Sequence, residues 1–245
     1  MKILLLFPVL LCCYLQSQTQ TLFYNTVKIE FEKTMNVHAY YKELDEDWYN
    51  YIKERWPKRV TNYYEFVGDS VRSIYKPGKQ TPIDPNTGYR GVADKNVVFN
   101  DYTAGTSIAQ KPVFEETFLV QDSLAKIRWK VTPDTRTIAG FECRKAIGIL
   151  NDSIAVFAFY TDELIIKGGP EGIHGLPGMI LGVGVPRLHS TWFATKVEVI
   201  DVNMKIVTPP SKGKKVDRAT MMKSLDKVLR QWGTYGSKMI VNFEI

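Results

Sequence analysis

Residues 143–161 read CRKAIGILNDSIAVFAFYT, and this stretch decides the fold class. Two apolar runs, 143–150 and 154–161, are separated only by Asn-Asp-Ser, a polar spacer of the length that joins the strands of a hairpin. Similar runs follow one another along the chain without a helix between neighbours, which argues against a parallel βαβ fold. We therefore predict a mainly β chain: a single curved antiparallel sheet or half-barrel of roughly ten strands, with a short N-terminal helix and a C-terminal helix packed on it.

The pattern of the first predicted strand indicates that one face of this sheet is exposed to solvent. In residues 26–31, TVKIEF, apolar and charged side chains alternate, which is the period-two pattern of a half-buried strand. The other strands are predicted at residues 60–67, 70–75, 96–102, 113–120, 125–131, 137–141, 143–150, 154–161, 182–185 and 190–202.

Two segments have helical rather than strand periodicity. In residues 41–56 apolar side chains recur at steps of three and four, which predicts a short helix that ends before Pro57. Near the other end, Asp217 is placed to cap a helix that reaches Trp232 and lies across the sheet. Residues 77–90, with three prolines, are predicted to be a loop, and residues 239–245 alternate like a final strand. The apolar stripe of the C-terminal helix comprises Met221, Met222, Leu225, Val228, Leu229 and Trp232.

The N-terminus predicts export. Lys2 precedes an apolar run that ends near residue 15, too short for a membrane span, so residues 1–17 are interpreted as a cleaved signal peptide and residues 18–245 as a single β-rich domain. No later stretch reaches spanning length, and no transmembrane segment is predicted. Lipidation at Cys12 or Cys13 is not favoured because no small residue precedes either one. The expected location is periplasmic or secreted.

The charge of the chain is local. The formal net charge is +6, and basic residues crowd the C-terminal quarter. We interpret them as the solvated face of the C-terminal helix, so nucleic acid is not a predicted partner; peripheral contact with a membrane through this helix stays open. The residues are Lys212, Lys214, Lys215, Arg218, Lys223, Lys227 and Arg230.

Catalytic motifs are missing from the sequence. There is no nucleophile elbow, P-loop, zinc-protease helix or Cys-x-x-Cys pair in residues 18–245, and the chain has three histidines. Glu115 and Glu116 are predicted at adjacent positions of one strand, where side chains point to opposite faces and cannot act on one substrate. The sequence therefore predicts no catalytic residue and no cofactor.

Residues 168–184, GGPEGIHGLPGMILGVG, depart furthest from ordinary composition, with seven glycines and two prolines. Such a backbone must adopt positive φ or approach other chain segments closely at several points. Two readings stay open: a loop that docks a ligand or partner, or a structural plug that packs its apolar residues into the sheet. The candidate binding residues are Gly169, Pro170, His174, Gly175, Leu176, Pro177, Gly178, Met179 and Ile180.

Three motifs in order give the chain a family resemblance. Residues 175–180, GLPGMI, together with upstream elements, resemble the GLPGLI family of exported envelope proteins over about residues 24–202. The resemblance implies an envelope protein of unassigned biochemical function, and it carries over no catalytic residue. By analogy of pattern it implies a curved antiparallel sheet around an apolar cavity. The upstream elements contain Ile138, Gly140, Cys143, Lys145, Ala146, Phe159, Tyr160 and Thr161.

The leading functional hypothesis is an exported periplasmic accessory or binding protein that engages an apolar ligand or another envelope protein. The alternative is copper or zinc handling through Cys143, His174 and His189, since thiolate and imidazole are ligands for these soft metals. For Cys143 itself, burial as a small apolar residue is the favoured interpretation.

Overall fold

The computed structural model describes residues 26–79, 91–200 and 203–245, and within them twelve strands form one sheet. The spatial order is β12-β6-β5-β4-β3-β2-β1-β11-β10-β9-β8-β7, and every neighbouring pair is antiparallel except β12 with β6. The strands are β1 Thr26–Asn36, β2 Arg59–Asp69, β3 Arg72–Pro77, β4 Val97–Asp101, β5 Thr106–Val113, β6 Glu116–Ser123, β7 Ile127–Ile138, β8 Phe141–Leu150, β9 Ile154–Thr161, β10 Met179–Val185, β11 Ser190–Val199 and β12 Lys214–Val216.

The predicted fold class is confirmed, and the hairpin that suggested it is present. β8 and β9 pair with Leu150 opposite Ile154. Asn151 and Asp152 both have positive φ, 49° and 59°, as the two central residues of a twist-matched hairpin turn require. Asn and Asp tolerate this conformation better than other non-glycine residues, so local sequence sets the register.

Two strand predictions are wrong in detail. Residues 113–120 are not one strand: β5 ends at Val113, a turn follows, and β6 begins at Glu116. Glu115 thus lies in the turn and not beside Glu116 in a strand. Conversely, most of the run 125–131 and the first two residues of the run 137–141 belong to the single strand β7, which absorbs the polar residues between them through a register shift after Val131. The rest of the run 137–141 is the turn to β8 and the first residue of β8.

The predicted N-terminal helix is two helices, α1 Val37–Leu44 and α2 Glu46–Ile52. Asp45 separates them because its extended backbone ends α1, while its side chain accepts a hydrogen bond from Trp48 N and caps α2. A residue type that caps helices well therefore interrupts a continuous apolar pattern.

The C-terminal helix forms as predicted, and the residues after it do not. Asp217 caps α3 Arg218–Leu229 by accepting from Thr220 N at 2.7 Å, and a 3-10 turn continues to Trp232. Residues 239–245 are helical and not a strand: α4 Gly233–Met239 is followed by α5 Val241–Glu244. The Lys111 ammonium donates to the main-chain oxygens of Phe243 and Ile245, so these carbonyls need no strand partner.

The core lies between the inner faces of the sheet and the segments folded against them. The main cluster joins residues of β1, β2 and β3 to residues of β8, β9 and β10. A second cluster lies where Met221, Leu225 and Leu229 of α3 pack on β4, β5 and β6. Met222 packs against this cluster while partly buried, whereas Val228 of α3 and Trp232 of the following turn are exposed.

Several predictions concern residues outside the described ranges. The signal peptide, with Cys12 and Cys13, lies there, and so do residues 80–90 of the proline-rich loop. Within the described residues, each helix is too short or too polar to cross a membrane.

Candidate binding site

The glycine-rich loop between β9 and β10 packs as a plug. Leu176, Met179 and Ile180 are buried in the main core. At Gly178 a side-chain Cβ would overlap the carbonyl oxygen of Thr161, so the backbone contacts β9 directly. The apolar residues of this loop therefore stabilise the sheet. They also hold in place one polar residue that forms part of the candidate site.

That residue is Glu171, which lies in a 3-10 turn, Pro170–Gly172, and has a left-handed backbone with φ of 55°. Its Oε2 accepts a hydrogen bond from Asn96 Nδ2 at 3.1 Å. Its Oε1 is buried and has no hydrogen-bond partner among the described residues. A carboxylate oxygen in this state is an acceptor available to a ligand or water.

Two buried lysines lie on either side of Glu171. Lys111 of β5 holds the C-terminal segment through Ile245 O at 2.6 Å, and burial lowers its pKa to about 8, although the Glu171 charge opposes this shift. Lys33 of β1 lies 4.9 Å from the centre of the Trp192 ring. Burial also lowers the pKa of Lys33, again against the effect of Glu171. The Glu171 carboxylate thus interacts with two ammonium groups that are buried away from solvent.

Two asparagines complete the polar lining. Asn100 Nδ2 donates to Gly172 O at 3.1 Å, as Asn96 Nδ2 donates to Glu171, and these bonds fix the orientation of both amides. The Oδ1 atoms of both are buried without a partner among the described residues. With Glu171 Oε1 they make three unsatisfied acceptors, and unsatisfied buried acceptors are uncommon in folded proteins.

The acceptors surround two small cavities separated by Glu171. The larger, about 50 Å³, lies between β4 to β6, the β7 to β8 hairpin and the start of α3. It has room for roughly three or four waters or for one polar end of a larger molecule. The smaller, about 10 Å³, lies towards Trp192. The polar lining of the larger cavity comprises Asn100, Ser107, Lys111, Asp122, Asn151, Glu171, Arg218 and Glu244.

The upstream motif residues form the strands beneath the loop. Cys143 is fully buried, as expected, and its Sγ lies 3.6 Å from Phe141 O; burial and the nearby Glu163 raise its pKa to about 11. Lys145 pairs with Asp134 on the surface. Gly140 forms the turn between β7 and β8 with φ of 89°. The buried positions of the motif are Ile138, Ala146, Phe159, Tyr160 and Thr161.

The three candidate metal ligands have separate environments. The His174 imidazole has a buried Nε2 without a partner among the described residues, and burial lowers its pKa. Its main-chain oxygen accepts from Trp129 Nε1 at 2.9 Å. His189 pairs instead with Glu43 at 2.6 Å. In the described part of the chain no three His, Cys, Asp or Glu residues are grouped to hold a metal ion, so the structure does not bring Cys143, His174 and His189 together.

Sequence reasoning missed the residues that line the cavity, although one signal was available. In β5 the alternate residues Ala109, Lys111 and Val113 are all buried, so strand periodicity alone places Lys111 on the inner face. Glu171 lies inside the glycine-rich loop, but nothing in the local sequence distinguishes it from a turn residue. The partners of Glu171 come from β1 and β5 and the segment before β4, which only the fold brings together.

Comparison with known proteins gives a family and a fold. Residues 99–222 match the family described as N-glycanase peptide, N-terminal domain. Asn100, Lys111, Glu171 and Arg218 lie within this range. No curated protein matches the chain.

Two crystal structures of PNGF-II share the fold. The structure in space group C2 has 18% identity and a TM-score of 0.52, and the match covers 86% of this chain and 33% of that one. The structure in space group P21 has 17% identity and a TM-score of 0.53, with 86% and 34% covered. The chain therefore spans about a third of the length of these relatives.

Proposed function

The chain belongs to the family of the N-glycanase peptide N-terminal domain, and from this premise we propose that it is an exported, non-catalytic accessory domain that binds the sugar of a glycoconjugate. The proposed binding site is the cavity beside Glu171. Because the chain spans about a third of PNGF-II, the catalytic activity of an N-glycanase is not assigned to it. Its export and its place in the GLPGLI family are parts of the same proposal.

The observation that carries the proposal is the set of unsatisfied acceptors. Asn100 and Glu171 line the larger cavity, and Asn100 Oδ1 and Glu171 Oε1 need donors, which hydroxyl groups supply. The rim adds donors from Arg218 and acceptors from Asp122 and Glu244. A lining that offers both donors and acceptors suits vicinal hydroxyl groups, because each hydroxyl both donates and accepts a hydrogen bond.

The charge of the lining favours a neutral ligand. Lys111 and Arg218 would repel a cation, while Glu171, Glu244 and Asp122 would repel an anion. An apolar ligand, which the sequence had suggested, would leave the buried acceptors unpaired at about 1–3 kcal/mol each. A hydroxyl-rich molecule is neutral and can donate hydrogen bonds to the buried acceptors. The size of the cavity suits one edge of a sugar ring rather than a whole oligosaccharide.

The proposal is tested by titrating the protein with N,N′-diacetylchitobiose and with mannose, followed by ligand-observed NMR and calorimetry. The decisive variant is Glu171→Gln, which keeps the side-chain volume and replaces an acceptor by a donor. We expect the wild type to bind at least one sugar and the variant to bind it about tenfold more weakly, as for the loss of one hydrogen bond to a charged group.

The matched control is Glu142→Gln, the same change at an exposed position of β8. It should bind like the wild type. Thermal melts of both variants show whether each is folded. The proposal fails if the wild type binds no sugar, or if a folded Glu171→Gln protein binds as tightly as the control.

A further inference from the structure

A second feature lies on the surface, where three large apolar side chains of the α3 region and the β5 to β6 turn are exposed. Phe114, Val228 and Trp232 are 53%, 46% and 44% exposed, and we call them the aromatic corner. The Phe114 and Trp232 ring centres are 5.3 Å apart, edge to face. We propose that the aromatic corner, with the lysines of α3, binds an anionic lipid surface.

The aromatic corner is not required for packing α3 on the sheet. Met221, Leu225 and Leu229 of that helix are buried, and they form its contact with the second core cluster. Val228 and Trp232 are four residues apart, so they lie on one side of the helix, beside the buried stripe. Their side chains therefore remain in water after the fold has formed.

Phe114 is an unexpected residue for its position. It lies in the turn between β5 and β6 with φ of 55°, a conformation that glycine adopts readily and bulky side chains rarely do. Its ring contacts Trp232 and also Phe243, at 5.7 Å. A strained backbone that carries a half-exposed aromatic ring is a feature that folding alone does not call for.

The C-terminal segment that carries Val228 and Trp232 has a positive charge, which is complementary to anionic lipid. Residues 203–245 contain nine Lys or Arg and three Asp or Glu, and this excess of six equals the formal net charge of the whole chain. Arg230 is paired with Asp226 and Lys214 with Glu116. Lys215, Lys223 and Lys227 are exposed and have no carboxylate partner in the described part of the chain, so they are available to lipid phosphates.

The combination of rings and lysines points to lipid rather than to another protein surface. Trp and Phe side chains are favourable at the headgroup level of a bilayer, and basic residues beside them are attracted to anionic lipids. Glu115 follows Phe114 and is the one exposed acidic group of that turn without a described ion partner. The three exposed lysines without a carboxylate partner therefore outnumber this one acidic group.

The test is flotation of the purified protein with vesicles of phosphatidylglycerol and phosphatidylcholine, against vesicles of phosphatidylcholine alone. We expect binding to the anionic vesicles, a loss of about tenfold or more in Phe114→Gly, Trp232→Ala and the double variant Lys223→Glu, Lys227→Glu, and a similar loss in about 0.5 M salt. Phe114→Gly suits the turn, so its effect is not ascribed to unfolding.

The control is Trp48→Ala, which removes a partly exposed ring on α2, a helix that contains no basic residue. It should bind vesicles like the wild type. The proposal is overturned if the wild type does not float with anionic vesicles, or if Trp232→Ala and Trp48→Ala lose binding equally. Recovery of a soluble protein partner without vesicle binding would also overturn it. Sugar binding at Glu171 should be unchanged in all these variants.

Discussion

The cavity beside Glu171 and the aromatic corner break the usual distribution of side chains in opposite directions. In the cavity, charged and amide groups such as Lys111 and Asn100 lie in the protein interior. At the aromatic corner, Phe114 and Trp232 remain about half exposed to solvent. Buried polar groups and exposed apolar patches are the informative exceptions to burial rules. The two regions differ in what holds their side chains in place. The cavity is formed by strands and by the glycine-rich loop packed against them, whereas the aromatic corner lies on one turn and one helix face.

The largest effect should come from the backbone that supports the cavity. Gly178→Ala places a methyl group against the Thr161 carbonyl, and we expect the free energy of unfolding to fall by about 3 kcal/mol. The measurement is urea unfolding. The matched control is Gly105→Ala, where φ is +69° but no atom lies within 4 Å, so only the backbone cost of about 1 kcal/mol is expected. Equal losses in both would mean that the plug is not rigid.

The next effect is a pH dependence of stability that comes from the buried charge of the cavity. The pKa of Lys111 is lowered to about 8 in the folded chain from 10.5, so between these values the unfolded chain binds more protons and stability rises with pH. The free energy of unfolding of the wild type minus that of Lys111→Met should increase by up to about 1.4 kcal/mol per pH unit between about pH 8 and 10. Urea unfolding across this range measures it.

Buried tyrosines give the opposite trend, but they do not affect this difference. Burial raises the pKa of Tyr102 and Tyr235 to about 12, which lowers stability as the pH passes about 10, and both variants retain these residues. A flat difference for Lys111→Met would contradict the burial of its charge.

At the aromatic corner a substitution should stabilise the fold. Phe114→Gly removes the strain of a bulky residue at φ of 55°, and we expect the free energy of unfolding to rise by about 0.5–1 kcal/mol after the loss of the ring contacts. Thermal and urea unfolding provide the value. A clear loss of stability would show that the Phe114 ring is a packing residue, and the contrast between the two regions would then weaken.

The smallest effect is expected from the exposed tryptophans. Trp232→Ala and Trp48→Ala should each change the free energy of unfolding by about 0.5 kcal/mol or less, because 44% and 38% of the two residues are exposed and neither belongs to a buried core cluster. Urea unfolding of the two variants side by side is sufficient. A loss of about 2 kcal/mol in Trp232→Ala alone would assign that ring to the second core cluster.

The parts of the fold that depend on residues close together in the chain could be predicted from the sequence. The hairpin at residues 151–152 and the cap at Asp217 depend on neighbours in sequence, and each is found in the structure. The prediction of a final strand at residues 239–245 failed because Lys111, far away in sequence, binds the carbonyls of that segment. The prediction of one N-terminal helix failed because the capping effect of Asp45 exceeded the apolar periodicity.

By itself the sequence determined the class of the fold, the helix that lies on the sheet, the unusual glycine path and the concentration of positive charge near the C-terminus, since each of these follows from local preference or from composition. The tertiary structure alone decided that Lys33, Lys111 and Asn96 meet at Glu171. Alternation along a strand indicates which side chains face inward, but it does not indicate which inward side chains of distant strands face one another. That pairing depends on strand order and register across the whole sheet, and the candidate site exists only through it.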